Sequence, residues 1–389
     1  MSSRRHFLAS AAAAPLLLSN AARGANDRLA IGLVGAGGRG RNVAGAFIEL
    51  GAKVGAVCDV FEPNLKKGLE LAGEGASGYV DYREVLDRQD LDAVLIATPD
   101  HWHVPMMLDA VQAGKDVYCE KPMTHSISEG VRAIRGVRAT DRIVQIGMQR
   151  RSTPWIRDAK RMVDDGLIGK INFAKAQWNW IRSGPLDNEP LEGRLDWERF
   201  VGPGRESDFE PMKFRSWRNF WAFSGGHMTD QGTHLMDVIQ WFSDSGTPLS
   251  AVCQGRLVAM EGAEAPDVFA AAFNYSDLLA TWSLNYNNDY DNGWQIRLEG
   301  DGGTLVLDGG GYRVWDAPWQ ENQIPALTCQ DSLPTIPHVR NFMECVVTRH
   351  EPNAPVEVGH AAVCGPHLAN ISMQTRRMAF LNPEATETY

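Results

Sequence analysis

Between residues 27 and 150, short and nearly continuous apolar runs alternate with segments of helical periodicity. The runs 29–34, 52–58, 93–97, 117–119 and 143–146 predict strands. Their unbroken apolarity is that of strands covered on both faces of a parallel sheet. Segments 41–50, 63–72, 104–113 and 128–139 repeat apolar residues at three- and four-residue steps and predict amphipathic helices. Repeated strand–helix–strand units imply an α/β, doubly wound sheet that takes ligands at the carboxyl ends of its strands.

The pattern changes after residue 151. A helix is expected at 155–165, a strand at 171–180, an irregular stretch at 182–226 and a helix at 229–242. The runs 251–258, 269–274, 280–284, 295–298 and 304–307 alternate apolar with polar residues, as half-exposed antiparallel strands do. Helices follow at 337–349 and 359–378. The expected organisation is therefore a first domain at 26–150 and a second, α+β domain at 151–389. The second is built on a large, open, mostly antiparallel sheet, carries the C-terminal helices of 337–378, and between residues 178 and 319 holds ten of the 12 tryptophans.

Composition narrows the partners. Hydrophobic residues at 44% and charged residues at 22% describe a folded globular chain, not a disordered or coiled-coil one. A net charge of −10 argues against nucleic acid and anionic membrane surfaces, which need a basic patch. The first 25 residues stand apart. Ser3-Arg4-Arg5-His6-Phe7-Leu8, an apolar run at 9–18 and small residues at 21–25 have the form of a twin-arginine export signal. That run is too short to span a bilayer, which takes about 20 residues. The expectation is a periplasmic or otherwise exported protein that engages the twin-arginine machinery. The six cysteines form no CxxC pair and no zinc-ligand spacing, so buried thiols are expected.

Three motifs carry chemistry. Gly35-Ala36-Gly37-Gly38-Arg39-Gly40 follows the first strand, opens a helix, and is followed by Asp59 at the end of the second strand. Gly35, Gly37 and Gly40 suit a tight turn, a close approach by pyrophosphate and close helix–strand packing. Asp59 suits a ribose 2′-hydroxyl and repels a 2′-phosphate, so NAD is favoured over NADP. Arg39, inside the turn, is the residue that complicates that preference. Thr98-Pro99-Asp100-His101-Trp102-His103 and Glu120-Lys121-Pro122 end the next two long strands. Thr98, Pro99, Asp100, Trp102, His103, Glu120 and Lys121 therefore fall on the cofactor edge, where a lysine can hold a substrate oxygen and steer a proton. In the third motif, offsets of 3, 7 and 10 put His227, Asp230, His234 and Asp237 near one helical face. Asp230 is expected in the first helical turn, and His234 as a general base with a pKa near neutrality. A divalent metal is the rival use of this pattern. Ten helical residues span about 15 Å, so only a subset of the four could reach one ion, and no metal is assigned.

Taken together, the glycine turn, Asp59, Thr98-Pro99…His103, Glu120-Lys121-Pro122 and Asp230-x-Gly232-x-His234-x-x-Asp237 resemble the glucose–fructose oxidoreductase / inositol dehydrogenase / rhizopine catabolism (Gfo/Idh/MocA) family, over residues 27 to about 378. The resemblance implies an N-terminal Rossmann domain and a C-terminal α+β domain, commonly paired as homodimers or homotetramers. It implies NAD(P)-dependent oxidation or reduction of sugars and polyols, with Lys121, Asp230 and His234 as the catalytic residues. On that footing Arg150, Trp180, Trp217, Arg218 and His227 join Asp230 and His234 as candidate contacts to a carbohydrate. The leading expectation is an exported oxidoreductase with a tightly bound NAD. The alternative is an NAD-dependent glycosidase working through a transient 3-keto sugar, to which the run 102–106 is similar and from which Lys121 departs. A non-catalytic sugar or nucleotide binder is the third reading.

Overall fold

The structure, a computed structural model, describes residues 28–182, 184–202, 205–317 and 324–382. The twin-arginine segment lies outside these residues. The first half runs β1 Ala30–Val34, α1 Gly38–Glu49, β2 Lys53–Cys58, α2 Glu62–Ala72, β3 Ser77–Tyr79, α3 Tyr82–Leu86, β4 Ala93–Ile96, α4 Asp100–Gln112, β5 Asp116–Cys119, α5 Ile127–Arg138 and β6 Val144–Ile146. Its six strands stand in the order β3-β2-β1-β4-β5-β6. All are parallel, because every connection crosses over through a helix or a long loop. The strand order reverses between β1 and β4, which opens a crevice beyond their carboxyl ends.

The second half continues with α6 Pro154–Asp164, β7 Ile171–Asn179, α7 Trp197–Val201, α8 Pro211–Arg215, α9 Gly226–Ser243, β8 Ser250–Arg256, β9 Val268–Asn274, β10 Leu279–Asn285, β11 Gly293–Gly300, β12 Thr304–Asp308, β13 Gly311–Trp315, β14 Leu327–Gln330, α10 Ile336–Thr348, α11 Val356–Thr375 and β15 Ala379–Phe380. Nine of these strands form one sheet, ordered β14-β13-β12-β11-β7-β10-β9-β8-β15. Only β7 and β10 pair in parallel; the other neighbours are antiparallel. The fold is thus a parallel α/β layer joined to a larger, mostly antiparallel sheet. The period-2 alternation places Phe269, Ala280, Trp282, Leu284, Ile296 and Leu298 on one face, where they pack with Leu235, Val238 and Ile239 of α9. Burying a side chain of this kind contributes about 1.5–3 kcal/mol. Gly232 sets how closely α9 lies on the sheet, since a Cβ there would stand 2.5 Å from the Trp282 ring. Asp230 and His234 flank that point of closest approach.

Two parts of the second half return to the first sheet. Phe342 of α10 meets Phe47 and Tyr118 edge-on, each at 5.8 Å, and Val339 and Cys345 share that core. Val356 and Ala362 of α11 join the core on the other face. Separately, the segment from Arg194 onward straps the carboxyl edge of the sheet. Arg194 O accepts from Glu62 N at 2.9 Å, Asp196 N donates to Val60 O at 2.9 Å, and Phe200 O accepts from Trp102 Nε1 at 2.9 Å.

Candidate active site

The glycine turn is shaped by what surrounds it. Gly35 has φ +86°, and a Cβ there would stand 2.7 Å from Ala97 C and O. At Gly40 a Cβ would run into Gly35 O, so the third glycine lets α1 start against the turn. Gly37 meets nothing within 4 Å, so its open side faces the cleft and not the protein. Asp59 anchors the turn from below, its Oδ2 accepting from Ala36 N and its Oδ1 from Phe61 N, both at 2.8 Å. Burial, partly offset by those bonds, pushes its carboxyl up to about 6.

Gly35, Gly37, Gly38, Asp59, Thr98, Pro99 and Trp102 line a cleft of 730 Å³ along the sheet edge. The strap supplies the opposite wall with Glu198, Arg199, Phe200, Phe214, Arg215 and Trp217. Trp217 is among the candidate carbohydrate contacts, whereas Glu198, Arg199, Phe200 and Phe214 carry no motif and nothing in the irregular stretch 182–226 singles them out. Arg83, Arg199 and Arg215 also line the cleft, but each pairs with an acid of its own vicinity. Arg83 stands 3.4 Å from Asp81, Arg199 2.5 Å from Asp196 and Arg215 3.2 Å from Asp187. Arg39 is likewise engaged, with Glu120 at 2.8 Å and Asn42 at 3.1 Å. Four cationic side chains near the cleft are therefore matched by protein acceptors, which fits a 2′-hydroxyl better than a 2′-phosphate.

Other candidates on this edge face away from the cleft. His103 bridges Thr98 O at 2.9 Å and Pro122 O at 2.7 Å, tying the β4 and β5 ends together. Glu120 is taken up by Arg39. Asp100 is 1% exposed and bonds Ser224 instead of lining the cleft.

At the far end of the cleft stands Arg218, stacked on Trp217 at 4.2 Å, with its Nε 3.3 Å from Asp230 Oδ1. Lys121 Nζ donates to the same oxygen at 2.6 Å and to Asp230 O at 2.8 Å. Burial is the strongest influence on Asp230 and opposes its charge. Lys121 and Arg218 together overcome it and hold the carboxyl well below the usual carboxylate range. Because α9 begins at Gly226, Asp230 lies in its second turn, not the expected first. These two cations, not the helix terminus, stabilise the carboxylate.

Along the polar face of α9, His227 bonds Asn219 Oδ1 at 2.9 Å, Asp230 holds Lys121 and Asp237 holds Arg151 Nε at 2.6 Å. His234 makes no hydrogen bond to any of the described residues. Burial first, then the charges of Arg150 and Lys121, keep its pKa well below the usual histidine value. The expected near-neutral pKa is thereby corrected, and the imidazole is held uncharged with its acceptor nitrogen unengaged. Arg150 is buried between Trp294 at 4.1 Å and Trp178 at 5.7 Å, and its Nε and Nη1 find no acceptor among the described residues. Trp180 sits farther out, just past the end of β7, exposed, 4.4 Å from Arg182 and edge-on to Tyr286. Among the described residues no three His, Cys, Asp or Glu side chains are grouped to hold a metal ion.

Comparison with known proteins agrees with this layout. Residues 29–148 match the family profile described as oxidoreductase family, NAD-binding Rossmann fold, and residues 199–306 match the GFO/IDH/MocA C-terminal domain. The chain is 36% identical to inositol 2-dehydrogenase of Klebsiella pneumoniae over 145 residues, which is 36% of this chain and 43% of that protein. It is 26% identical to levoglucosan dehydrogenase of Pseudarthrobacter phenanthrenivorans over 235 residues, 58% of this chain and 54% of that protein. The matches thus span about half the length of these relatives. In fold, the chain superposes on a levoglucosan dehydrogenase in complex with NADH and levoglucosan with a TM-score of 0.72 and 18% identity. That superposition covers 90% of this chain and 98% of the other.

Proposed function

The chain belongs to the Gfo/Idh/MocA oxidoreductase family, with an NAD-binding Rossmann domain, and from that premise we propose that it oxidises a sugar or polyol hydroxyl by hydride transfer to a tightly bound NAD. One observation carries the reading. Of the four polar residues on the α9 face, three are matched by a protein partner and His234 alone is left free among the described residues.

Bound NAD supplies the hydride acceptor. The residues supply the rest. An ammonium has three N–H donors. Lys121 directs two contacts to Asp230, leaving a third for a hydroxyl oxygen and the negative charge that grows on it. His234, uncharged, accepts the hydroxyl proton. Asp230, fixed as a carboxylate, keeps Lys121 charged and in place. Export by the twin-arginine route, and pairing of the open second sheet in a homodimer or homotetramer, belong to the same proposal. The strap over the cleft supports retention of the cofactor.

The test is a near-ultraviolet spectrum of the purified, undialysed protein before and after a panel of sugars. A reduced-nicotinamide band that rises with one sugar supports the reading. Sugar cleavage without lasting change in the band favours the glycosidase, and absence of any cofactor removes the nucleotide assignment. Asp59→Ala should weaken cofactor binding about 10- to 100-fold, the worth of hydrogen bonds to a charged acceptor. Nucleotide extracted from the variant measures this, and unchanged content would take Asp59 out of the cofactor site.

A further inference from the structure

Asp100 opens α4 directly after Thr98 and Pro99, which line the cleft. An acid at a helix start ordinarily accepts N–H groups of its own first turn. This one makes no such bond. Its Oδ2 instead accepts from Ser224 Oγ at 2.7 Å, across to the second half of the chain. Ser224 Oγ in turn accepts from Gly226 N at 3.2 Å, and Gly226 is the first residue of α9. Asp230 lies one turn farther along. The chain of bonds therefore runs from the turn beside the cofactor, through one carboxyl and one hydroxyl, to the helix that bears Asp230 and His234.

The second oxygen, Oδ1, is buried and has no partner among the described residues. A carboxylate left half-bonded in such a place is costly, and a proton relieves the cost. The charged groups that act on it are Asp230, which repels its charge, and Arg218 and Lys121, which favour it, while Ser224 donates to it. Burial first, reinforced by the repulsion of Asp230, prevails over Ser224, Arg218 and Lys121 and pushes the carboxyl up to about 7. Below that pH Asp100 is a neutral link. Above it, a second carboxylate competes with Asp230 for Lys121 and Arg218.

We propose that Asp100 is a positioning residue for hydride transfer: through Ser224 it fixes the amino end of α9 against the cofactor turn, and its ionisation loosens the hold of Asp230 on Lys121. The proposal rests on the oxidoreductase reading above. Asp100→Ala and Ser224→Ala should each lower kcat about tenfold, one hydrogen bond's worth, with KM for the sugar changed far less. The double variant should lose no more than either single one, because both break the same link. Asp100→Asn keeps an oxygen for Ser224. It should recover most of the loss while flattening the alkaline limb of the kcat profile above about pH 7.

A readout free of turnover is the infrared stretch of a protonated carboxyl in the intact protein. In the difference between wild type and Asp100→Asn, which cancels the band of Asp59, it should be present at about pH 6 and lost by about pH 9. An unaltered limb in Asp100→Asn, or additive losses in the double variant, would overturn the proposal. A wild-type protein that transfers no hydride to any sugar defeats the oxidoreductase reading instead, and the infrared titration still decides whether Asp100 ionises as described.

Discussion

Replacing Lys121 by alanine should lower the rate of hydride transfer about 10²–10³-fold while leaving the protein loaded with cofactor. The loss has two parts. The substrate oxygen loses the donor that meets its developing charge. Asp230, bonded by Lys121 at 2.6 Å, is left with Arg218 alone at 3.3 Å, so its carboxyl rises toward the ordinary range. Lys121→Arg should not restore the rate, because a planar fork cannot reproduce a point donor that also holds Asp230 Oδ1 and O. His234→Ala should cost at least about 10²-fold, the low end for a positioned acid or base. The two effects should fall short of additive in the double variant, since donor and base act on one oxygen. Single-turnover formation of reduced nicotinamide is the measurement. A near-normal rate in either variant would make that residue structural.

Acid should unfold this protein earlier than its carboxylates alone would explain. Burial, the leading influence in each case, pushes His101 and His367 down to about 3 and His103, His125, His227 and His338 down to about 4. In the unfolded chain these rings take up protons near pH 6.5. Their contribution is therefore intact above about pH 6.5 and is lost as the pH falls toward their folded values, at about 1.4 kcal/mol per pH unit for each ring. Asp59 and Asp100, raised to about 6 and about 7, act in the opposite sense, stabilising at low pH and losing that contribution as the pH rises. Six rings outweigh two carboxyls. His103 shows how firmly burial decides, since both its nitrogens face carbonyl oxygens that would favour the charged ring. Thermal melts should show Tm falling from about pH 6.5 downward, with roughly 10 kcal/mol of stability lost over about two pH units. A Tm that stays level to about pH 4.5 would contradict this.

The parallel layer is legible in the sequence because its strands are buried on both faces and read as unbroken apolar runs. β3, with Ser77, Gly78 and Tyr79, is mostly exposed and carries no such run, so it goes unread. In the second sheet, the alternation in β9 and β10 is visible, whereas β14 is largely exposed and leaves no pattern. The residues of the site are visible where spacing ties them together, as in the glycine turn and along α9. They are invisible where only the fold does so. Trp178 and Trp294 enclose Arg150 because β7 and β11 pair them in register, and Arg199 faces Asp81 across the cleft because the strap folds back. Nor does spacing disclose an environment. His234 reads as a near-neutral base until Arg150 and Lys121 are seen beside it.

The return of α10 and α11 to the first sheet bears on how the chain is made. A ribosome delivers β1 to β6 long before residue 336, yet Phe47 and Tyr118 await Phe342, and the opposite face awaits Val356 and Ala362. The nucleotide-binding layer therefore cannot close during synthesis of its own residues. A truncated product ending near residue 330 would present bare aromatic surface, and excising 28–150 as a free-standing fragment would leave the same wound. Maturation of the first layer becomes a late event, coupled to completion of the whole polypeptide.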